Sequence, residues 1–121
     1  HIVVPAFDPL RPSTQSPRMV EVIRDLIGFG GLLLSDDLNM AALSGSLGDR
    51  TSAALAAGCD VALHCKGDMA EMVQVAAAAR PLDPAGLKRA GAALALRRPP
   101  APIDAEALLA ELGSLIRPAE S

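Results

Sequence analysis

Aromatic residues are almost missing from this 121-residue chain, which has two Phe, no Trp and no Tyr. Its core must therefore be aliphatic, drawn from the Leu, Val, Ile and Ala that dominate its apolar half. The same shortage removes the stacking surface that single-stranded nucleic acid requires. An excess of positive charge is missing too. Eleven Lys and Arg stand against 14 Asp and Glu, a net charge of −3, and the charges are scattered. That excludes the basic footprint of a nucleic-acid binder. No apolar run approaches the roughly 20 residues that span a bilayer, so no membrane partner is expected. Cysteine is scarce: Cys59 and Cys65 flank one short apolar run that, if extended, holds them too far apart to bridge. Two free, buried thiols suit a reducing compartment, and a cytoplasmic setting is expected. What remains is a chain long enough for one ordinary domain and suited to small neutral ligands.

Along the chain, apolar runs alternate with helical periodicity. Ile2 to Val4 is a β-branched run stopped by Pro5, read as a strand opening into a loop from Phe7 to Ser16. Ser16-Pro17 is a helix start, with Ser as cap and Pro at the first helical position. Met19, Val22, Ile23, Leu26 and Ile27 follow at helical spacing, and Gly28 is the stop. Leu32-Leu33-Leu34 is apolar without alternation, which reads as a strand buried on both faces. Residues 41 to 48 read as a loop and 49 to 57 as an Ala-rich helix ended by Gly58. Asp60 to His64 is a third strand, and Asp68 caps a helix to about Ala79. Repeated βα units imply a parallel α/β sheet. After Pro81 the rhythm changes. Asp83-Pro84 starts another helix, Arg97 to Pro102 is a stiff linker, and Asp104 caps a last amphipathic helix through about Ile116. The tail after Arg117 is expected to fray. This divides the chain into an α/β part, 1–80, and a helical extension, 81–121, whose apolar positions are expected to pack back onto it.

The chemistry-bearing feature is Ser35-Asp36-Asp37 at the end of the second strand. Parallel α/β folds place chemistry beyond the C-terminal ends of strands. Adjacent carboxylates repel, and on an extended backbone they point to opposite faces. Position alone leaves four readings open: a pair capping the next turn, a catalytic carboxylate, a metal site or a phosphoacceptor.

Five features then act as a set: His1-Ile2-Val3-Val4-Pro5, the loop from Asp8-Pro9 to Ser16-Pro17, Ile27-Gly28-Phe29, Ser35-Asp36-Asp37-Leu38-Asn39-Met40, and Ala57-Gly58-Cys59-Asp60-Val61. In this order they resemble the last third of the catalytic barrel of family 3 glycoside hydrolases. The resemblance is nearest to the bacterial β-N-acetylglucosaminidases (β-N-acetylhexosaminidases) of peptidoglycan recycling. It implies the C-terminal portion of a TIM (β/α)8-type barrel, about three βα units of it, plus the C-terminal helices. It makes Asp36 the nucleophile of a retaining hydrolase, forming a covalent glycosyl-enzyme that water releases. It leaves Asp37 in a supporting role and offers Met40 as an apolar wall for the sugar. The implied substrate is terminal β-linked N-acetylglucosamine on muropeptides. No metal or organic cofactor is implied.

The family's Lys-His-Phe-Pro-Gly-His-Gly stretch and its proton-donating His loop do not occur in these 121 residues. His1 and His64 lack that glycine-rich context. Asp60 reads as structural, Lys66 as solvated. A barrel of eight strands and about 250 residues would need roughly five more strands upstream. The missing part, or another chain, is then expected to cover the open sheet edge. Two other readings compete. A doubly wound, receiver-like phosphoacceptor or metal-binding module would use Asp36 and Asp37, but it needs an acidic pair after the first strand, and Pro5 stands there. A non-catalytic interaction fragment would act through the last two helices.

The resemblance thus implies a nucleophile without its acid in these residues, which gives a first prediction. A pure 121-residue preparation should not release aryl alcohol from an aryl β-N-acetylglucosaminide; measurable turnover would contradict the assignment of the acid to another part of the protein.

Overall fold

A buried carboxylate shapes the start of the chain. Asp8 accepts hydrogen bonds from the Leu10 and Arg11 amides and from Ser16 Oγ at 2.7–3.2 Å. The segment therefore folds back on itself. Strand β1 (Val3–Val4) pairs antiparallel with β2 (Asp8–Pro12), and a 3-10 turn, Ser13–Gln15, follows. The computed structural model describes residues 1–116; the expected fraying after Arg117 lies outside them. Two expectations are corrected here. The first strand turns back into a hairpin instead of entering the larger sheet, and much of the expected loop is strand. The cause is that Asp8 and Ser16 satisfy each other and the turn amides, a pattern of Asx and cap bonds that competes with open loop.

Ser16 then caps α1 (Pro17–Glu21), as expected, by accepting from the Met19 amide. The helix does not continue regularly. It passes into a π-helical turn, Val22–Leu26, closed by the Ile27 amide on the Val22 carbonyl at 2.9 Å. Gly28 ends it with φ of +75°.

Strand β3 (Leu34–Asp37) runs parallel to β4 (Val61–Leu63). The parallel pairing is as expected, but β3 lies later in the chain than expected. The strand contains the acidic residues, and most of the triple-Leu run precedes it. The run is not buried on both faces either, since Leu34 is 46% exposed. Helix α2 (Leu47–Ala57) packs on β4 and on α3 (Met69–Ala78). The covered face forms an aliphatic core of Leu38, Leu43, Leu47 and Ala54 against Ala62 and Val75. Helix α2 begins two residues before the expected start because Ser46 and Asp49 form a reciprocal capping box. Gly58 ends it in the left-handed region, φ +114°.

Asp60, just before β4, joins four elements. Its side chain is 6% exposed. It accepts from the Leu33 amide and Arg24 at 2.9 Å, and from Arg89 of α4 (Pro84–Ala95) through Nε and Nη2. Arg24 also donates to the Phe29 and Gly31 carbonyls. Burial pushes the Asp60 carboxyl up, but the Arg89 and Leu33 hydrogen bonds and the charges of Arg89 and Arg24 outweigh it and hold it below 3.8. The structural reading of Asp60 is what this geometry supports.

The last two helices depart from expectation. In α4 only Gly86 is buried, and every described position of α5 (Ala105–Leu115) is exposed. Leu108, Leu109, Leu112 and Leu115 line α5 without packing back. An amphipathic pattern specifies an apolar face, not the surface that covers it. Cys59 is buried as expected, whereas Cys65 is exposed because it lies past the end of β4, outside the core. No described helix is long and apolar enough to cross a membrane.

Two stability tests follow, both on the full-length protein. A Cβ on Gly58 would meet Val20 Cγ1 at 2.8 Å on a left-handed backbone. Gly58→Ala should therefore cost about 2 kcal/mol or more in denaturant unfolding; a wild-type midpoint would contradict the packing. Asp60→Asn should cost about 3 kcal/mol, the lower end for breaking a buried pair. The carboxyl is lowered in the folded state, so its stabilisation is complete above 3.8 and fades as pH falls through the lower folded value. The variant should thus lose less stability than wild type on acidification below about pH 4; parallel pH profiles would contradict it.

Candidate active site

The two parallel strands end together, and side-chain oxygens finish the ladder. Ser35 is buried; its Oγ accepts from the Leu63 amide at 2.9 Å and donates to the Asp36 carbonyl at 2.8 Å. The next residue alternates outward, as strand geometry dictates. Asp36 leaves 55% of its side chain in solvent. Its Oδ1 accepts from the Asp37 amide at 2.8 Å, and its Oδ2 lies 3.6 Å from the His1 backbone nitrogen.

Asp37 turns the other way and ties backbone segments together. Its Oδ1 accepts from the Asn39 and Cys65 amides, both at 3.1 Å, tying the turn after β3 to the end of β4. Its carbonyl accepts from the Met40 amide and from His1 Nε2 at 2.7 Å. A carbonyl only accepts, so that ring nitrogen carries a proton. His1 Nδ1 lies 2.8 Å from Thr14 Oγ1. The imidazole therefore bridges the first segment to the end of β3. The sequence marked His1 only as a strand start. No local pattern signals this bridge, because its partners stand 13 and 36 residues away.

Met40 is half-exposed on the turn after β3. Arg50 of α2 holds that turn by donating to the Leu38 and Met40 carbonyls. Lys66 is solvated, as expected, with 55% of its side chain exposed. Its ammonium donates to Glu71 Oε1 at 2.6 Å, and that hydrogen bond and charge hold it above the usual lysine range. His64 points inward with its side chain 5% exposed and neither ring nitrogen hydrogen-bonded. Its Nε2 is 3.4 Å from Glu71 Oε2, without hydrogen-bond geometry. Glu71 escaped the sequence reading, since three residues after Asp68 it passes for a first-turn helix residue.

The strand ends thus bring Asp36, Asp37, Met40, His64 and Lys66 to one region and leave Asp60 at the opposite end. A cavity of about 100 Å³ at that opposite end is lined by Cys59, Asp60, Arg80 and Arg89, among others. Burial, and then the Asp60 charge, push the Cys59 thiol up, with Arg24 partly opposing. A thiol held in that form is a poor nucleophile. The chemically available group is Asp36: ionisable, accessible, at a strand end and oriented by a neighbouring amide.

Residues 1–90 match the model of the glycosyl hydrolase family 3 N-terminal domain. A beta-hexosaminidase of Bordetella pertussis is 40% identical over 74 residues, 59% of this chain and 21% of that protein. One from Vibrio cholerae is 42% identical over 67 residues, 54% of this chain and 20% of its own length. One from Stenotrophomonas maltophilia is 37% identical over 90 residues, 72% and 27% respectively. The chain therefore spans about a fifth to a quarter of the length of these relatives. With the matched segment running from His1 through both parallel strands and into α4, the chain belongs to the glycosyl hydrolase family 3 N-terminal domain family.

Proposed function

We propose that the full-length protein is a retaining β-N-acetylglucosaminidase in which Asp36 is the nucleophile. The observation that carries this reading is the accessible Asp36 carboxylate at the end of a parallel strand, next to an Asp37 whose Oδ1 is taken by two backbone amides. An Asp36 oxygen attacks the anomeric carbon while the glycosidic C–O bond breaks. The departing oxygen takes a proton from an acid that these 121 residues do not supply. Water then attacks the glycosyl ester and regenerates the carboxylate, with net retention. The Asp37 amide on Oδ1 orients the nucleophile. Met40, half-exposed on the adjoining turn, gives the sugar an apolar wall beside its N-acetyl group.

Relatives named beta-hexosaminidase support a hexosaminide substrate. N-acetylglucosamine on muropeptides is the form proposed here, in a cytoplasmic peptidoglycan-recycling role. Residues 1–80 serve as the C-terminal part of a TIM-type barrel and 81–121 as a helical extension, with the rest of the barrel, or another chain, covering the open sheet edge. The receiver-like alternative gains no support: β1 leads into a hairpin, and Asp8 is committed to Leu10, Arg11 and Ser16.

Steady-state kinetics on the full-length protein test the reading. Asp36→Asn should lower turnover of an aryl β-N-acetylglucosaminide by roughly three orders of magnitude or more, while Asp37→Asn acts mainly through stability. An Asp36→Asn enzyme within tenfold of wild type would sink the assignment.

A further inference from the structure

The turn that follows Asp36 is held from several sides, His1 on the Asp37 carbonyl among them. Strand β4 holds it through the Leu63 carbonyl, which accepts from the Leu38 amide, and through the Cys65 amide on Asp37. Helix α2 holds it through Arg50. Helix α3 holds it differently, by a link between two side chains. Asn39 Nδ2 donates to Glu71 Oε2 at 2.8 Å. The Asn39 amide in turn donates to Asp37 Oδ1, and the Asp37 amide donates to Asp36 Oδ1. Three hydrogen bonds, linked through the covalent frames of Asn39 and Asp37, therefore join Glu71 to the Asp36 carboxylate.

Two further features concentrate on the same glutamate. Its second oxygen takes the Lys66 ammonium. The buried His64 ring, with no hydrogen bond to either nitrogen, packs against Oε2. Leaving buried polar atoms unpaired is costly, so a charge beside them is a meaningful arrangement. The reaction steps described above use neither Glu71 nor Asn39.

We propose that Glu71 is a positioning residue: through Asn39 it fixes the turn that aims Asp36 at the anomeric carbon. The inference rests on the glycosidase reading above. Its physical basis is the tolerance of such sites, which must be held to within about half an ångström. Misplacement by about 1 Å can cost on the order of a hundredfold in rate. Without the Glu71 carboxylate, Asn39 loses its anchor on α3, and the turn keeps its ties to β4, to Arg50 and to His1.

The test uses the full-length protein and an aryl β-N-acetylglucosaminide, with active sites counted by covalent trapping so that unfolded enzyme is not scored. Wild type and Asp36→Asn come first; a wild type without turnover overturns the glycosidase reading and this inference with it. With turnover established, Glu71→Ala should lower kcat per site roughly tenfold or more while KM stays within about twofold. Glu71→Gln, which keeps an oxygen for Asn39, should recover most of the loss. Asn39→Ala should fall by a similar factor, and the double variant should be no worse than Glu71→Ala, because both changes cut one path. Glu71→Ala or Asn39→Ala at wild-type kcat per site, or losses that multiply in the double variant, would overturn the positioning role and leave the glycosidase reading intact. Should Glu71→Ala fail to fold, Glu71→Gln and Asn39→Ala decide: near-wild-type kcat in the first with a loss in the second supports the path, and wild-type kcat in Asn39→Ala overturns it.

Discussion

Two short parallel strands cannot hold themselves. With three or four residues each, β3 and β4 offer few ladder bonds, and three side-chain oxygens complete what the backbone leaves open. Asp60 gathers Leu33, Arg24 and Arg89 at one end. Ser35 takes the Leu63 amide within the pair, and Asp37 takes Asn39 and Cys65 at the other end. The ends of the strands are therefore fixed by polar bonds and their middle by aliphatic packing. Placement of Asp36 follows from this, since it is the residue between two that are committed inward.

The division of labour between the adjacent carboxylates is electrostatic as well as geometric. Two neighbouring acids are tolerable when one is satisfied by amide donors and the other meets water. Asp37 has two amides and sits at the closure of the ladder. Asp36 has one amide and an open side. The same logic separates the two ends of the strands: Asp60 is neutralised by two arginines and serves the scaffold, and Asp36 has no guanidinium partner among the described residues.

Much of this was legible in sequence where the signal is local. Ser16, Asp68, Asp83 and Asp104 cap the helices they were expected to cap, and Gly28 and Gly58 take the left-handed backbone expected of helix stops. The parallel pairing of the second and third strands was legible from their apolar runs. Distant partners were not. Nothing near Asp8 announces that Ser16 will fold the loop into a hairpin, and nothing near Glu71 points to Asn39, 32 residues back. Helix α5 shows the same limit from the other side: its apolar stripe is plain in sequence, but a stripe does not name its cover. The role proposed for Asp36 was legible only as one of several for a strand-end carboxylate, until the resemblance carried by an ordered set of motifs narrowed them.

The central claim is a covalent bond to one oxygen of one side chain. The most direct measurement is peptide mass spectrometry of the full-length protein after reaction with a fluorinated N-acetylglucosaminyl donor that slows release of the intermediate. The account predicts a single glycosylated peptide carrying the sugar on Asp36. Labelling of Asp37 or of a residue elsewhere, with Asp36 unmodified, would contradict it.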